Sequence, residues 1–405
     1  MMVGQEQLTL TDASHPASET DLGELYELFA KAFPPSYFEA KSHLEFIRRN
    51  EPAVPSHNYF LVRGVEGDVV GGLKTVDRVL MLEGCPLQVA GLSYYAIAPK
   101  YQPTNCAQQI IKALLNHITS GRYDLSMGFA RKVMDGYWSR YGFIGFTSFY
   151  SLTIEMRDVR ALGSPQGVRL NTPGVSDEGC YNRFYEDTYT GITGAVSRDE
   201  ALWDYWLRKI ERNKHLRLAV FKERDKIVGY VVWRDNTVVE LAMDTQCTPE
   251  CLRRLADQLA EYKTLTFNLP YTHPVFRLLR QRNYVYSVRR VWDGGHIALV
   301  ADVPRFLQTI HPVLARRLVI GGAAPFSLSC NQVLFRWDGT HLHLAEGKPP
   351  SARHRVEFHD AEWQKLLLGV EPATMLRGFA SSGQAGVIDL LFPVLWPQVS
   401  ELDEF

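Results

Sequence analysis

Between residues 91 and 118 the apolar rhythm of the chain switches from every second residue to every third or fourth. Residues 91–98 read as a strand, with Leu92, Tyr94, Ala96 and Ala98 on one face and Ser93, Tyr95 and Ile97 on the other. Pro99 ends it, because proline has no amide hydrogen for a ladder. After a short polar loop, Ala107, Ile110, Ile111, Leu114, Leu115 and Ile118 recur at helical spacing, which predicts a helix opening near Asn105. A strand that feeds a helix through a tight loop leaves unpaired amides and the positive end of the helix dipole facing outward. That geometry suits a pyrophosphate.

The same patterning organises the rest of the first third. Thr20 or Asp21 is placed to cap a helix carrying Leu25, Leu28, Phe29 and Phe33, and Pro34-Pro35 stops it. Residues 58–63 and 69–76 predict a hairpin around Gly67-Asp68, with a third strand around Leu80 leading through Gly84 to the strand at Gly91. Residues 123–129 and 147–155 read as further strands, separated by Gly136-Tyr-Trp-Ser-Arg-Tyr-Gly-Phe143. A Gly-, Pro- and Ser-rich stretch then breaks the pattern within residues 158–175. Beyond it helices, a hairpin around Arg224-Asp225, a strand at 238–244 and a helix from Thr248 repeat the earlier order, but residues 244–249 carry no phosphate loop. From Ala301 a helix, a meander turning at Asp338-Gly339 and a helix expected to be capped by Asp360 make a third style of segment. The regions drawn on this basis are 1–157, 158–300 and 301–405.

Composition narrows the classes without choosing one. A 405-residue chain, 46% hydrophobic and 22% charged, predicts two or three globular domains. A net charge of −1 with no basic run argues against nucleic-acid and polybasic membrane partners. No apolar run is long enough for a bilayer, and the polar N-terminus lacks a signal-peptide layout. Six scattered cysteines fit a reducing compartment, so a cytoplasmic location is expected.

Two motifs now carry a resemblance. Residues 99–107 resemble the pyrophosphate loop of GNAT-superfamily N-acyltransferases, Q/R-x-x-G-x-G/A, with Gln102 at its first position and Ala107 at its last. Asn105 replaces the middle glycine, where its tolerance of left-handed backbone is expected to preserve the loop, and Pro103 removes a donor. Residues 136–143 are similar to the second signature, F-Y-x-x-x-G-F, which closes the acyl site. The order of two such regions and a sterol-carrier-like tail is similar to that of the enhanced-intracellular-survival-type acetyltransferases. The implied fold class is α+β: tandem GNAT folds with mixed twisted sheets flanked by helices, then a sterol-carrier-protein-like α/β domain.

That resemblance implies acetyl-CoA or another acyl-CoA against Ile97 and Ala98, with its pyrophosphate on Gln102, Thr104, Asn105, Cys106 and Ala107 and with Arg140 on the phosphate side. It implies a primary amine acceptor, on a small molecule or a lysine, and the terminal carboxylate, here of Phe405, as base. Ring-like oligomers occur in the subgroup, so a homo-oligomer is among the implied partners. The aromatic that serves the family as acid falls on Trp138, whose indole is too weak an acid; Tyr137 substitutes only if the local turn shifts. Set against turnover is a degenerate GNAT-fold protein that binds CoA, an amine or a lipid-like ligand. Cys247 and Cys251 lack a second ligand pair at zinc spacing, and His341 and His343 with His354 or His359 read as ordinary partly exposed hairpin histidines, so no metal is expected.

Overall fold

The computed structural model describes residues 8–11, 17–33, 37–130, 135–145, 149–164, 167–173, 179–289, 295–347, 355–376, 382–395, 397–400 and 402–403. These residues form two seven-stranded sheets and one four-stranded sheet, each mixed and flanked by helices. The first sheet runs in the order Thr9–Thr11, Tyr59–Arg63, Val69–Leu82, Cys85–Ile97, Leu125–Ala130, Gly295–Leu299, Ile144–Gly145. The second runs Tyr284–Arg289, Phe149–Glu155, Thr264–Phe267, Thr237–Met243, Lys226–Arg234, Arg217–Glu223, Val168–Asn171.

Several boundaries differ from the sequence expectation, each for a local reason. The segments read as two strands at 69–76 and around Leu80 are one strand, Val69–Leu82, paired along its length with Cys85–Ile97. The first helix, Glu19–Ala32, is capped by Ser18 rather than Thr20 or Asp21. The Ser18 hydroxyl accepts from the Asp21 amide while the Asp21 carboxylate accepts from the Ser18 amide, a reciprocal capping box. A second helix, Tyr37–Asn50, follows where no element was assigned; Pro34 and Pro35 lie outside the described residues. His359, not Asp360, stands at the cap position of Asp360–Leu367.

The largest departure is an exchange of strands. Phe149–Glu155, read with the first region, pairs with Thr264–Phe267 and Tyr284–Arg289 in the second sheet. In return Gly295–Leu299 enters the first sheet between Leu125–Ala130 and Ile144–Gly145. Both segments alternate or carry apolar residues, and either sheet buries them, so periodicity alone does not select the partner. A single core then joins Leu80, Val89, Leu125 and Ala298 of the first sheet to Phe306, Leu314, Phe335 and Trp363 of the last region.

Candidate functional site

Where Cys85–Ile97 and Leu125–Ala130 part, the first sheet opens. The two strands are parallel partners from Val89↔Leu125 to Leu92↔Gly128, and there the pairing ends. Cys85–Ile97 continues on Val69–Leu82, while Leu125–Ala130 continues on Gly295–Leu299. Ala98 donates its amide to the Val70 carbonyl at 2.8 Å, toward the Val69–Leu82 side. Because amides alternate along a strand, that of Ile97 points the other way, into the gap.

A bulge sets which side chains line this gap. Leu73 pairs with Tyr95 but Thr75 with Leu92, so one extra residue is accommodated between them. The alternation expected over 92–98 is therefore reset. Leu92 shares the cluster of Tyr95 and Ile97 under the Cys106–Ile118 helix, while Tyr94 and Ala96 face the first helix. Tyr94 packs there on Phe29 and Phe33, with centroids 5.4 and 5.3 Å away.

The resulting cleft has a volume of about 480 Å³. Ile97, Gln102, Ala107, Tyr137 and Trp138 line it, together with Ser93 and Tyr95, to which no role was assigned from sequence. The hydroxyls of Tyr95 and Tyr137 are 2.7 Å apart. Burial pushes the Tyr137 hydroxyl up to about 12, and burial and the hydrogen bond to Tyr137 push Tyr95 higher still. Both are neutral hydroxyls near pH 7, and Tyr137 is the better proton donor of the two. Trp138 is buried between Tyr95 and Phe143 as a packing residue. Gly142, at φ 88°, supplies the left-handed turn after residues 139–141 that lets Phe143 fold back beneath Trp138.

At one end of the cleft the Cys106–Ile118 helix begins with no side chain capping it. Its N-cap, Asn105, has φ −81°, so the left-handed conformation anticipated for that position is not used and the missing glycine is no backbone obstacle. Thr104 is turned back on the Tyr101 carbonyl at 2.6 Å, and its hydroxyl accepts from the Cys106 amide. Cys106 itself is buried, its sulfur over Gly71, where a Cβ would stand 2.5 Å from it, and its amide is taken by Thr104, so neither its thiol nor its amide is left for a ligand. Gln102 lies across the loop, its amide nitrogen 3.4 Å from the Ile97 carbonyl. Arg140 is exposed and does not line the cleft, and Phe405 lies outside the described residues. Among the described residues no group of histidine, cysteine and carboxylate side chains could hold a metal, and no helix is long and apolar enough to cross a membrane.

A splayed parallel strand pair, a bulge beside it and a helix that starts at the parting give the first sheet a GNAT-like fold. Residues 14–145 match the acetyltransferase (GNAT) domain family. Over the whole length, the fold is shared with a GCN5-related N-acetyltransferase from Kribbella flavida, at 17% identity and a TM-score of 0.69, covering 99% of both chains. It is likewise similar to a probable N-acyltransferase from Enterococcus faecalis V583 (15%, TM-score 0.72, 98% of this chain and 100% of that one). Eis1 from Mycobacterium abscessus aligns at 17% identity and a TM-score of 0.65, over 98% of this chain and 100% of its own. No curated protein sequence matches the chain.

Proposed function

We propose that this protein is an N-acyltransferase that moves an acetyl or other acyl group from acyl-CoA to a primary amine. The observation that carries the reading is the open strand edge at residues 93–97 facing a cleft that ends on an uncapped helix N-terminus. The backbone of Ile97 and Ala98 extends beside the pantetheine arm, and the free amides at Asn105 and Ala107 face the pyrophosphate, with Gln102 beside them. The Ile97 amide is aimed at the oxygen that becomes negative as the amine attacks. The amine nitrogen bonds to the thioester carbon, the carbon–sulfur bond breaks, and Tyr137 delivers a proton to the departing sulfur. The Phe405 carboxylate takes the proton from nitrogen; holding the reactants together supplies most of the rate.

The acceptor side is walled by Phe33, Tyr94 and Phe129, and no carboxylate is among the described lining residues. This favours an amine carried on an apolar or aromatic body over a polycation. We read residues 301–405 as a sterol-carrier-like support rather than a lipid carrier, packed on the first sheet through the shared core.

Thiol release from acetyl-CoA across a panel of amines, with CoA titrated by calorimetry, tests the reading. Turnover with at least one amine is expected. Binding of CoA without release from any amine would leave a non-catalytic GNAT-fold binder, and silence with no CoA binding would overturn the acyltransferase reading in favour of a degenerate GNAT-fold protein with another ligand.

A further inference from the structure

Two tyrosine hydroxyls meet inside the cleft, one on a strand and one on a helical turn. Tyr95 belongs to Cys85–Ile97, where it pairs with Leu73 at the bulge, so its backbone is held by the first sheet. Tyr137 sits on a single helical turn, Asp135–Trp138, outside the sheet. The two rings are stacked, with centroids 6.0 Å apart and planes 26° from each other, and the hydroxyls are 2.7 Å apart. Tyr95 also meets Trp138 edge-on at 5.7 Å, and Trp138 in turn meets Phe143 at 5.3 Å. Both consecutive aromatics of the short helix are thus set against one strand side chain. Trp138 touches it through its ring alone, Tyr137 through ring and hydroxyl.

Proton counting gives the hydroxyl contact a direction. At rest each oxygen carries one proton, and either can donate to the other. Once Tyr137 has passed its proton to a departing sulfur, its oxygen can only accept, and the contact is then held by the proton of Tyr95. Burial raises the Tyr95 hydroxyl well above the ordinary tyrosine value, and the hydrogen bond to Tyr137 raises it further, so that proton stays in place. A hydrogen bond to an ionised oxygen is about twice as strong as one between neutral groups. The contact therefore strengthens as negative charge develops on Tyr137. An interaction stronger in the transition state than in the ground state raises kcat.

We propose that Tyr95 is a positioning residue for the acid: its hydroxyl holds that of Tyr137 in the cleft and donates to the phenolate that Tyr137 becomes. The assignment rests on the proposed N-acyltransferase reading. In the step concerned the carbon–sulfur bond breaks with its electron pair on sulfur, and the Tyr137 proton moves to sulfur. The phenolate left behind accepts from Tyr95, which keeps its own proton. The amine nitrogen gives up one proton as Tyr137 loses one, so exchange with water restores both groups and no further reactant is needed. The pairing also accounts for an acid one residue before the position that the resemblance assigns. Trp138, at that position, is occupied in packing, whereas the hydroxyl of its neighbour reaches Tyr95.

Tyr95→Phe keeps the ring and removes the donor. It should lower kcat with acetyl-CoA by about 10-fold, with the Kd for CoA and the thermal midpoint unchanged. Tyr137→Phe leaves no phenolate for Tyr95 to stabilise, so adding Tyr95→Phe to it should change kcat by less than about 2-fold. Equal kcat in Tyr95→Phe and the parent overturns the assignment, and so does a 10-fold loss repeated in the Tyr137→Phe background. A loss larger than that of Tyr137→Phe would make Tyr95 the acid itself and overturns it too. A lower kcat that comes with weaker CoA binding or a lower thermal midpoint would leave Tyr95 a packing residue, with the same consequence. In each of these cases the parent turns over and the N-acyltransferase reading stands. A parent that releases no thiol with any amine overturns that reading, and the assignment of Tyr95 with it.

Discussion

The two seven-stranded sheets carry the same local plan and end in opposite states. In each, two parallel strands pair briefly and part: Leu92↔Gly128 is the last pair in the first, Val238↔Phe267 in the second. In each a short 3-10 turn follows, Pro99–Tyr101 or Thr245–Cys247, and then a helix, Cys106–Ile118 or Thr248–Gln258. In the second sheet, however, the backbone beyond the parting is already bonded. Tyr189 accepts from the Leu241 amide at 3.3 Å, and His273 Nε2 donates to the Leu241 carbonyl at 2.9 Å. His273 Nδ1 accepts from the Val275 amide, which fixes the tautomer. The space left is about 160 Å³, against about 480 Å³ in the first sheet. A splayed strand pair is therefore not enough for a site; the edge it exposes must also be left without internal partners.

Removing the groups that distinguish the first cleft should have the largest effects. Deleting Phe405 is expected to lower the rate of thiol release by about 10³-fold with the thermal midpoint unchanged, as fits loss of a general base. Tyr137→Phe is expected to reduce kcat by about 10²-fold, and its pH profile should lose the limb that reports this hydroxyl. Equal rates for Tyr137→Phe and the parent would move the acid elsewhere.

Perturbing the closed cleft should affect stability and not chemistry. His273→Ala strands the Leu241 carbonyl and should cost about 1–3 kcal/mol in urea unfolding. Calorimetry should still return one CoA per chain; a second site would show that His273 alone keeps the second cleft shut. The smallest effect is in pH. Burial pulls His273 and His296 down from 6.5 to about 4. The unfolded chain thus takes up protons near pH 6.5 that the folded one refuses, so stability is full above 6.5 and is lost as pH falls toward 4. Each histidine should contribute about 1 kcal/mol of that loss between pH 6.5 and 5.5, and His273→Ala should flatten the slope by its share.

Much of the first cleft was legible because it is local. The strand, Pro99, the helix stripe and the turn at Gly142-Phe143 lie in short windows where period and turn chemistry speak directly. The bulge was not legible, since its extra residue shows only against a partner strand. Nor was the strand exchange, because Phe149–Glu155 and Gly295–Leu299 suit either sheet. Arg140 and Thr104 had motif positions but point elsewhere, which spacing does not reveal. The buried ion pair of Arg198 and Glu240 did leave one trace. Glu240 interrupts the apolar run of Thr237–Met243, and an acid inside a buried strand requires a cation.

The strand exchange bears on how the chain is made. A nascent chain that has emerged as far as Ala130 has an edge waiting for Gly295–Leu299. At roughly 5–20 residues per second, the ribosome needs about 10–30 s to deliver that partner. During that interval the Leu125–Ala130 edge is unpaired and competent to join another chain. Slowing translation after Ala130 should therefore lower the yield of correctly assembled protein, and a fragment ending at residue 145 should aggregate instead of folding.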